Sequence, residues 1–249
     1  MCRHVAYLGP PIPLAAVLFD PPHALVHQAS APRQMRHGGR INADGFGIGW
    51  FDAGQPLRYR RDRPLWADAQ LPHLAARIRA SAMLAAVRSA TAGMPVTESA
   101  CAPFTGEGWL FSHNGKILGW PDTVAALAER LPVTRLLSME ALTDSVLLWE
   151  LVQARLRAGQ PAPTAVAETV TEVARAAPGS RLNLLLTDSR TIVATTVTHS
   201  LWVRQHGGAT LVSSEPLDDD PAWQPVADQR LVVATTDRVT VTRLPDPAG

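Results

Sequence analysis

The chemistry in this chain starts at Cys2, one of its two cysteines. A cysteine at the second position is small enough for the initiator methionine to be removed. Removal of Met1 leaves a thiol and a free α-amine on one residue. That amine has an ordinary pKa of about 8, so part of it is a neutral base at cytosolic pH. It can take the thiol proton directly or through water and leave a nucleophilic thiolate. Taken alone, Cys2 is more ordinary than that: a small residue opening a strand. Acyl transfer also needs donors aimed at the developing oxyanion. His113-Asn114-Gly115 follows an apolar run, and the Asn114 amide and the Gly115 backbone N–H suit the task, because glycine admits an unusual backbone and close approach. Asn-Gly alone is equally a hairpin turn.

A substrate with an amino-acid head group needs a cation for its carboxylate and an anion for its ammonium. Arg88, in Arg88-Ser89-Ala90-Thr91, can clamp a carboxylate with two parallel hydrogen bonds, and Thr91 adds a hydroxyl. Asp144 follows Thr143 at the start of a helix and can pair with the ammonium, although an acid there also serves the helix itself. His113 is counted with Arg88, Thr91 and Asp144 on the substrate side; Cys2, Asn114 and Gly115 are the catalytic set. Other groups fall short of a site. His23 and His27 are four apart, but prolines precede them and no HExxH pattern follows, so no metal is expected. Cys101 reads as a packed thiol. Asp218-Asp219-Asp220 reads as a solvated turn, because an oxygen-rich cation loop needs more spaced ligands. Trp120 and Trp223 lie among prolines and are candidates for a substrate groove, whereas Trp50, Trp109 and Trp149 belong to apolar segments.

The elements that must hold these groups are legible in outline. Residues 2–8 have strand character. Residues 9–35 are proline-rich, so regular structure there should be short. Residues 42–50 run from a polar turn into a glycine-bearing strand, with residues 57–61 as hairpin partner. Helical spacing marks residues 68–80, 122–131, 144–157 and 164–177. Residues 83–88 and 109–112 are short apolar runs that deliver Arg88 and His113. Six strands are expected over residues 182–187, 191–197, 201–205, 210–213, 231–235 and 238–244. Strands, then helices, then strands favour an α+β fold over a doubly wound parallel sheet. Neither a GxxxxGK[ST] loop nor a GxGxxG turn into a helix is present, which disfavours nucleotide and dinucleotide sites.

Bulk composition narrows the classes. The 249 residues are 46% hydrophobic and carry a formal net charge of +1. That suffices for a sizeable core, and nothing in it calls for a nucleic-acid or acidic-membrane partner. There is no signal-peptide pattern and no apolar run of about 18 residues, so a cytoplasmic protein is expected. Two cysteines fit reduced thiols. A small-molecule substrate is the expected partner, and a homo-oligomer is compatible with the chain.

As an ordered set, Cys2, Arg88-Ser89-Ala90-Thr91, His113-Asn114-Gly115 and Thr143-Asp144-Ser145 resemble the class II glutamine amidotransferases of the N-terminal-nucleophile hydrolase superfamily. A narrower resemblance spans nearly the whole chain. Met1-Cys2-Arg3-His4, Tyr7-Leu8-Gly9-Pro10, Cys101-Ala102-Pro103-Phe104 and Ser214-Glu215-Pro216-Leu217-Asp218-Asp219-Asp220-Pro221 look like the γ-glutamyl hydrolases of the ergothioneine pathway. The resemblance implies a four-layer αββα sandwich in one domain over residues 2–249, with no cofactor. It implies cleavage of a γ-glutamyl amide through a Cys2 thioester, the substrate being γ-glutamyl-hercynylcysteine sulfoxide. Two alternatives stand beside it: a glutaminase subunit feeding ammonia to a separate synthase, and a catalytically silent binding protein. Ala92 stands where ammonia-delivering relatives commonly carry a histidine, which weighs against the first.

Overall fold

A computed structural model describes residues 2–36 and 41–246. Its order is β1 (Arg3–Pro13), α1 (Ala15–Leu18), α2 (Leu25–Ser30), β2 (Phe46–Asp52), β3 (Gln55–Arg61), α3 (Leu71–Arg77), β4 (Arg79–Val87), β5 (Phe104–Gly106) and β6 (Trp109–Lys116). Then follow α4 (Ala125–Ala128), α5 (Val133–Leu137), α6 (Asp144–Arg157), α7 (Ala162–Ala176), β7 (Arg181–Thr187), β8 (Ile192–Thr196), β9 (Trp202–His206), β10 (Ala209–Ser213), β11 (Gln224–Pro225), β12 (Arg230–Ala234) and β13 (Val239–Arg243). Seven strands form one antiparallel sheet, in the order β11-β9-β10-β1-β4-β2-β3, and six form a second, in the order β13-β12-β8-β7-β6-β5.

Period-2 alternation stacks these into four layers. Val5, Tyr7, Phe46, Ile48, Met83 and Ala85 of the first sheet pack against Leu14, Leu18, Leu25 and Leu71 from the short helices. Their neighbours in sequence, Ala6, Leu8, Ala82 and Leu84, turn the other way and meet Leu110, Leu185 and Ala194 of the second sheet. Phe111, Leu182, Leu184 and Leu186 on the far face of that sheet bury Val146, Trp149, Val166 and Val170 of α6 and α7. Trp149 stacks on Phe111 with ring centroids 5.0 Å apart. The α+β class and the αββα layering expected above are what the fold has.

Local boundaries moved. β1 continues through Pro10, Pro11 and Pro13, with a register shift between Leu8 and Ile12, rather than stopping at Leu8. The expected helix over residues 68–80 is only Leu71–Arg77, because Arg79 and Ala80 already pair with Pro13 and Ile12 in the sheet. Residues 122–131 break into a 3-10 turn and one short helix. His113, Asn114 and Gly115 do not follow β6 as a turn. They lie inside it, paired with Leu184, Asn183 and Leu182 of β7. The turn that Asn-Gly taken alone would suggest does not form, because a neighbouring strand takes up the backbone groups a turn would have used.

Among the described residues no helix is long and apolar enough to cross a membrane. Gly47 of β2 faces the second sheet so closely that a Cβ there would collide with the Ala102 carbonyl oxygen. Replacing Gly47 with Ala should cost about 1–3 kcal/mol, because a backbone atom cannot step aside as a side chain can. A shift of the urea unfolding midpoint to lower concentration, at unchanged slope, checks this.

Candidate active site

Alternation along β1 fixes where Cys2 points. Val5 and Tyr7 face the short helices, while Ala6 and Leu8 face the second sheet. Extended back to the strand's start, His4 and Cys2 belong to the inter-sheet side and Arg3 to the other. Cys2 is half-buried and lines a cleft with Ala86 and Arg88 from the end of β4, Phe46, Ala100, Ala102, Phe104, Ser112, His113 and Ser145. The Cys2 thiol lies 3.9 Å from the Ser89 carbonyl oxygen. Free space in the cleft is about 20 Å³, little more than one water.

Arg88 is held by its backbone. Its N–H donates to the Gly45 carbonyl at 2.8 Å, and its own carbonyl accepts from Asp44 N–H at 3.0 Å. The Asp44 carboxylate also accepts from Ala90 N–H at 2.8 Å. The side chain is left free: Nη1 is buried without a partner. A buried guanidinium nitrogen without an acceptor is costly. It is also the geometry a carboxylate would complete. Thr91 is exposed and does not line the cleft.

The opposite wall comes from β6. β5 pairs with Trp109, Leu110 and Phe111, so from Ser112 to Lys116 no strand among the described residues covers that edge of β6. Asn114 is fully buried; its Nδ2 lies 3.5 Å from the Ser214 hydroxyl, and its Oδ1 has no partner. Gly115 is needed where it stands, because a Cβ would run into the Arg181 carbonyl oxygen. His113 Nε2 lies 2.9 Å from that same oxygen, and Nδ1 lies 3.0 Å from Ser145 Oγ. A carbonyl only accepts, which assigns the proton to Nε2 and makes Nδ1 the acceptor from Ser145. Both ring nitrogens are therefore engaged, and His113 contributes a wall rather than a free donor. Asp144 Oδ2 accepts from Ile117 N–H at 2.9 Å and Oδ1 from Ser145 N–H at 2.8 Å. Thr143 caps α6 by accepting from Val146 N–H at 3.2 Å. Asp144 thus ties the start of α6 to the end of β6, and its Oδ2 retains a lone pair; like Asn114 and Gly115, it is not among the residues that line the cleft.

Three nearby imidazoles are poor bases. Burial pushes His4 and His199 down to about 3. Burial also lowers His113, opposed by the neighbouring Asp144 charge. At neutral pH all three are uncharged and weakly basic, unsuited to taking a thiol proton. Burial raises the Cys101 thiol to about 11, and the thiol bonds the carbonyls of Arg61 and Thr97, each at 3.4 Å. It is the packed cysteine expected from its neighbours.

Sequence reasoning missed the anchor of the nucleophile. Arg3 Nε donates to Glu215 Oε1 at 2.8 Å, and both side chains are buried. Arg3 also donates to the Cys2 carbonyl at 3.1 Å and the Gln34 carbonyl at 2.8 Å. Glu215 further accepts from His23 Nε2 at 2.7 Å and from the backbone N–H groups of Arg33 and Gln34 at 2.8 and 3.0 Å. The signal was available: a charged residue at an inward position of an apolar strand demands a buried partner. The same network accounts for His23. In the run of three aspartates, Asp218 accepts from Trp223 Nε1 at 2.7 Å and pairs with Arg204 at 2.8 Å, and Asp220 also pairs with Arg204. Among the described residues no group of His, Cys, Asp and Glu could hold a metal ion. Trp223 is packed in this cluster, while Trp120 does line an apolar groove, with Leu136, Met139 and Leu142.

Residues 13–207 match the family described as glutamine amidotransferases class-II. The chain belongs to that family. It is 41% identical over 247 residues to the gamma-glutamyl-hercynylcysteine sulfoxide hydrolase of Mycolicibacterium smegmatis, covering 98% of this chain and 100% of that one. Identity to the protein of the same name from Mycobacterium tuberculosis (strain H37Rv) is 36% over 249 residues, covering 100% of this chain and 99% of that one. The class II amidotransferase fold is also seen in a glutamine aminotransferase class-II domain protein from Silicibacter pomeroyi, with TM-score 0.69 at 24% identity over 98% of this chain and 100% of that one. The glutamine phosphoribosylpyrophosphate amidotransferase of B. subtilis shares the fold with TM-score 0.72 at 12% identity, over 98% of this chain and 49% of that one.

The Arg3–Glu215 pair sets a test. Burial alone would raise Glu215, but the hydrogen bond to His23, the charge of Arg3 and the two backbone donors bring it below the usual carboxylate value. A depressed carboxylate contributes stability above its unfolded value, and that contribution fades as pH falls through the folded one. Glu215→Gln should therefore cost about 3–5 kcal/mol at pH 7, because it leaves Arg3 buried without a counter-charge. The difference from wild type should shrink on acidification below the ordinary glutamate range. Urea titrations at neutral and acid pH measure it.

Proposed function

We propose that the chain hydrolyses a γ-glutamyl amide and that its substrate is γ-glutamyl-hercynylcysteine sulfoxide, which yields glutamate and hercynylcysteine sulfoxide. The observation that carries the chemistry is that the Cys2 thiol and the buried, unpartnered Nη1 of Arg88 share one cleft. The substrate is carried by the full-length likeness to relatives of that name.

In this reading Arg88 takes the glutamyl α-carboxylate and Asp144 offers its free lone pair to the ammonium. Thr91 lies outside the cleft and would reach the substrate only after a rearrangement of its loop. With Met1 removed, the Cys2 amine accepts the thiol proton, since the nearby imidazoles are too weakly basic. The thiolate adds to the γ-carbonyl, and Asn114 and Gly115 on the uncovered edge of β6 stabilise the oxyanion. The C–N bond breaks as the ammonium returns its proton to the departing amine. Water, deprotonated by the same amine, then cleaves the thioester and restores the thiol. Met1, on which the amine base depends, lies outside the described residues.

Cys2→Ala should release no glutamate while still binding substrate. Arg88→Lys should raise KM about tenfold or more with less effect on kcat, because lysine cannot form the forked pair. A glutamate-release assay on γ-glutamyl-hercynylcysteine sulfoxide and on glutamine, with mass spectrometry of the N-terminus, checks all of this. Equal turnover of glutamine would favour an ammonia-supplying glutaminase. Retained Met1 in an active protein would remove the amine base.

A further inference from the structure

Among the described residues five polar side chains line the cleft, Cys2, Arg88, Ser112, His113 and Ser145, and none of them is a carboxylate. Arg88 brings a cation whose Nη1 has no partner. An amino-acid head group carries a cation of its own, and that cation needs an acceptor. Which lining side chain can accept from it depends on where each hydroxyl proton is spent.

The Ser145 proton is committed. His113 Nε2 donates to the Arg181 carbonyl at 2.9 Å, and His113 Nδ1 accepts from Ser145 Oγ at 3.0 Å. A carbonyl has no proton to give, so the direction of this chain is fixed at its far end. Asp144 Oδ1, 3.4 Å from Ser145 Oγ, is a second acceptor for the same proton. Whichever of the two takes it, the proton stays within the wall, and the cleft meets the lone pairs of Oγ. Ser112 differs. Its Oγ lies 3.2 Å from His4 Nδ1, but His4 Nε2 has no partner to fix the tautomer, so Ser112 can present either a proton or a lone pair. Both nitrogens of His113 are taken, and a thiol is a weak acceptor.

The electrostatic setting of Ser145 suits a cation. The start of a helix by itself carries partial positive charge. Asp144 offsets this with a full negative charge: its Oδ1 accepts from Ser145 N–H at 2.8 Å. Asp144 is buried and off the lining, so its charge reaches the cleft across Ser145.

We infer that Ser145 is a specificity-determining residue: its hydroxyl oxygen accepts a hydrogen bond from the α-ammonium of the glutamyl head group while Arg88 holds the carboxylate. The inference rests on the γ-glutamyl hydrolase reading above. It adds to that reading a second acceptor for the ammonium, the one that faces the cleft. Ser145 thereby selects acyl groups that carry an α-ammonium over the same acyl chain without one.

The test uses the full-length protein and two conjugates of one amine, γ-glutamyl-hercynylcysteine sulfoxide and its glutaryl counterpart, which lacks only the α-amino group. Release of the shared amine is followed for both. Wild type should show the higher kcat/KM on the γ-glutamyl conjugate. Ser145→Ala should lower that value about tenfold or more, the scale of one hydrogen bond to a charged group, and lower the glutaryl value about twofold or less. Calorimetric binding of both conjugates to Cys2→Ala, with and without Ser145→Ala, reads the same ratio without turnover. Equal loss on the two conjugates would make Ser145 a structural residue, and an unchanged ratio would give the ammonium to another group; either result overturns the inference. If wild type neither binds nor cleaves the γ-glutamyl conjugate, the γ-glutamyl reading falls and the role of Ser145 falls with it.

Discussion

A thiol at the start of a strand is loosely constrained, and the buried pair of Arg3 and Glu215 removes that freedom from Cys2 here. The pair joins the residue beside Cys2 to a point 212 residues away. Burial lowers Arg3 from the ordinary guanidinium value, and the Glu215 charge raises it back in part. Such a pair is rarely a large source of net stability, because desolvation consumes much of the attraction. Its value is positional. Arg3 grips the Cys2 carbonyl while Glu215 gathers His23 and the backbone of Arg33 and Gln34, so one carboxylate organises the nucleophile and the loop beside it.

The rest of the site follows from strand parity. A period of two sends Cys2 and His4 between the sheets, where Ser112 from β6 lies beside both. This layer is polar at the Cys2 end and aliphatic farther on, at Ala6, Leu8, Leu110 and Leu185. His4 Nδ1 and the Ser112 hydroxyl lie 3.2 Å apart, and the Ser214 hydroxyl accepts from His4 N–H at 3.0 Å. Hydroxyls thus bridge the two sheets where apolar packing would leave no room for chemistry. The imidazoles among them stay neutral, which leaves Arg88 and Arg3 to carry positive charge beside Cys2.

Much of this was legible in the residues. Cys2, Arg88 and His113, singled out by residue type and order, line one cleft, and α6 is marked because Val146, Trp149 and Val152 repeat at helical spacing. What local pattern could not carry is long-range pairing. Nothing near His113-Asn114-Gly115 says that β7 will run beside it and turn an expected loop into strand. Nothing near Pro10 and Pro13 says that β4 will hold them extended. The need of Arg3 for a buried partner was legible, but that the partner is Glu215 was hidden for the same reason, as was the exposure of Thr91, which its neighbours in the Arg-Ser-Ala-Thr run did not reveal.

The placement of β1 between β4 and β10 also bears on synthesis. β1 is made well before β10 and before Glu215, which stands 212 residues after Arg3. Until those later segments join it, β1 lacks its second neighbouring strand and Arg3 lacks its ion-pair partner. The strand that carries Cys2 is therefore one of the first pieces of the fold to exist and one of the last to be fixed in place.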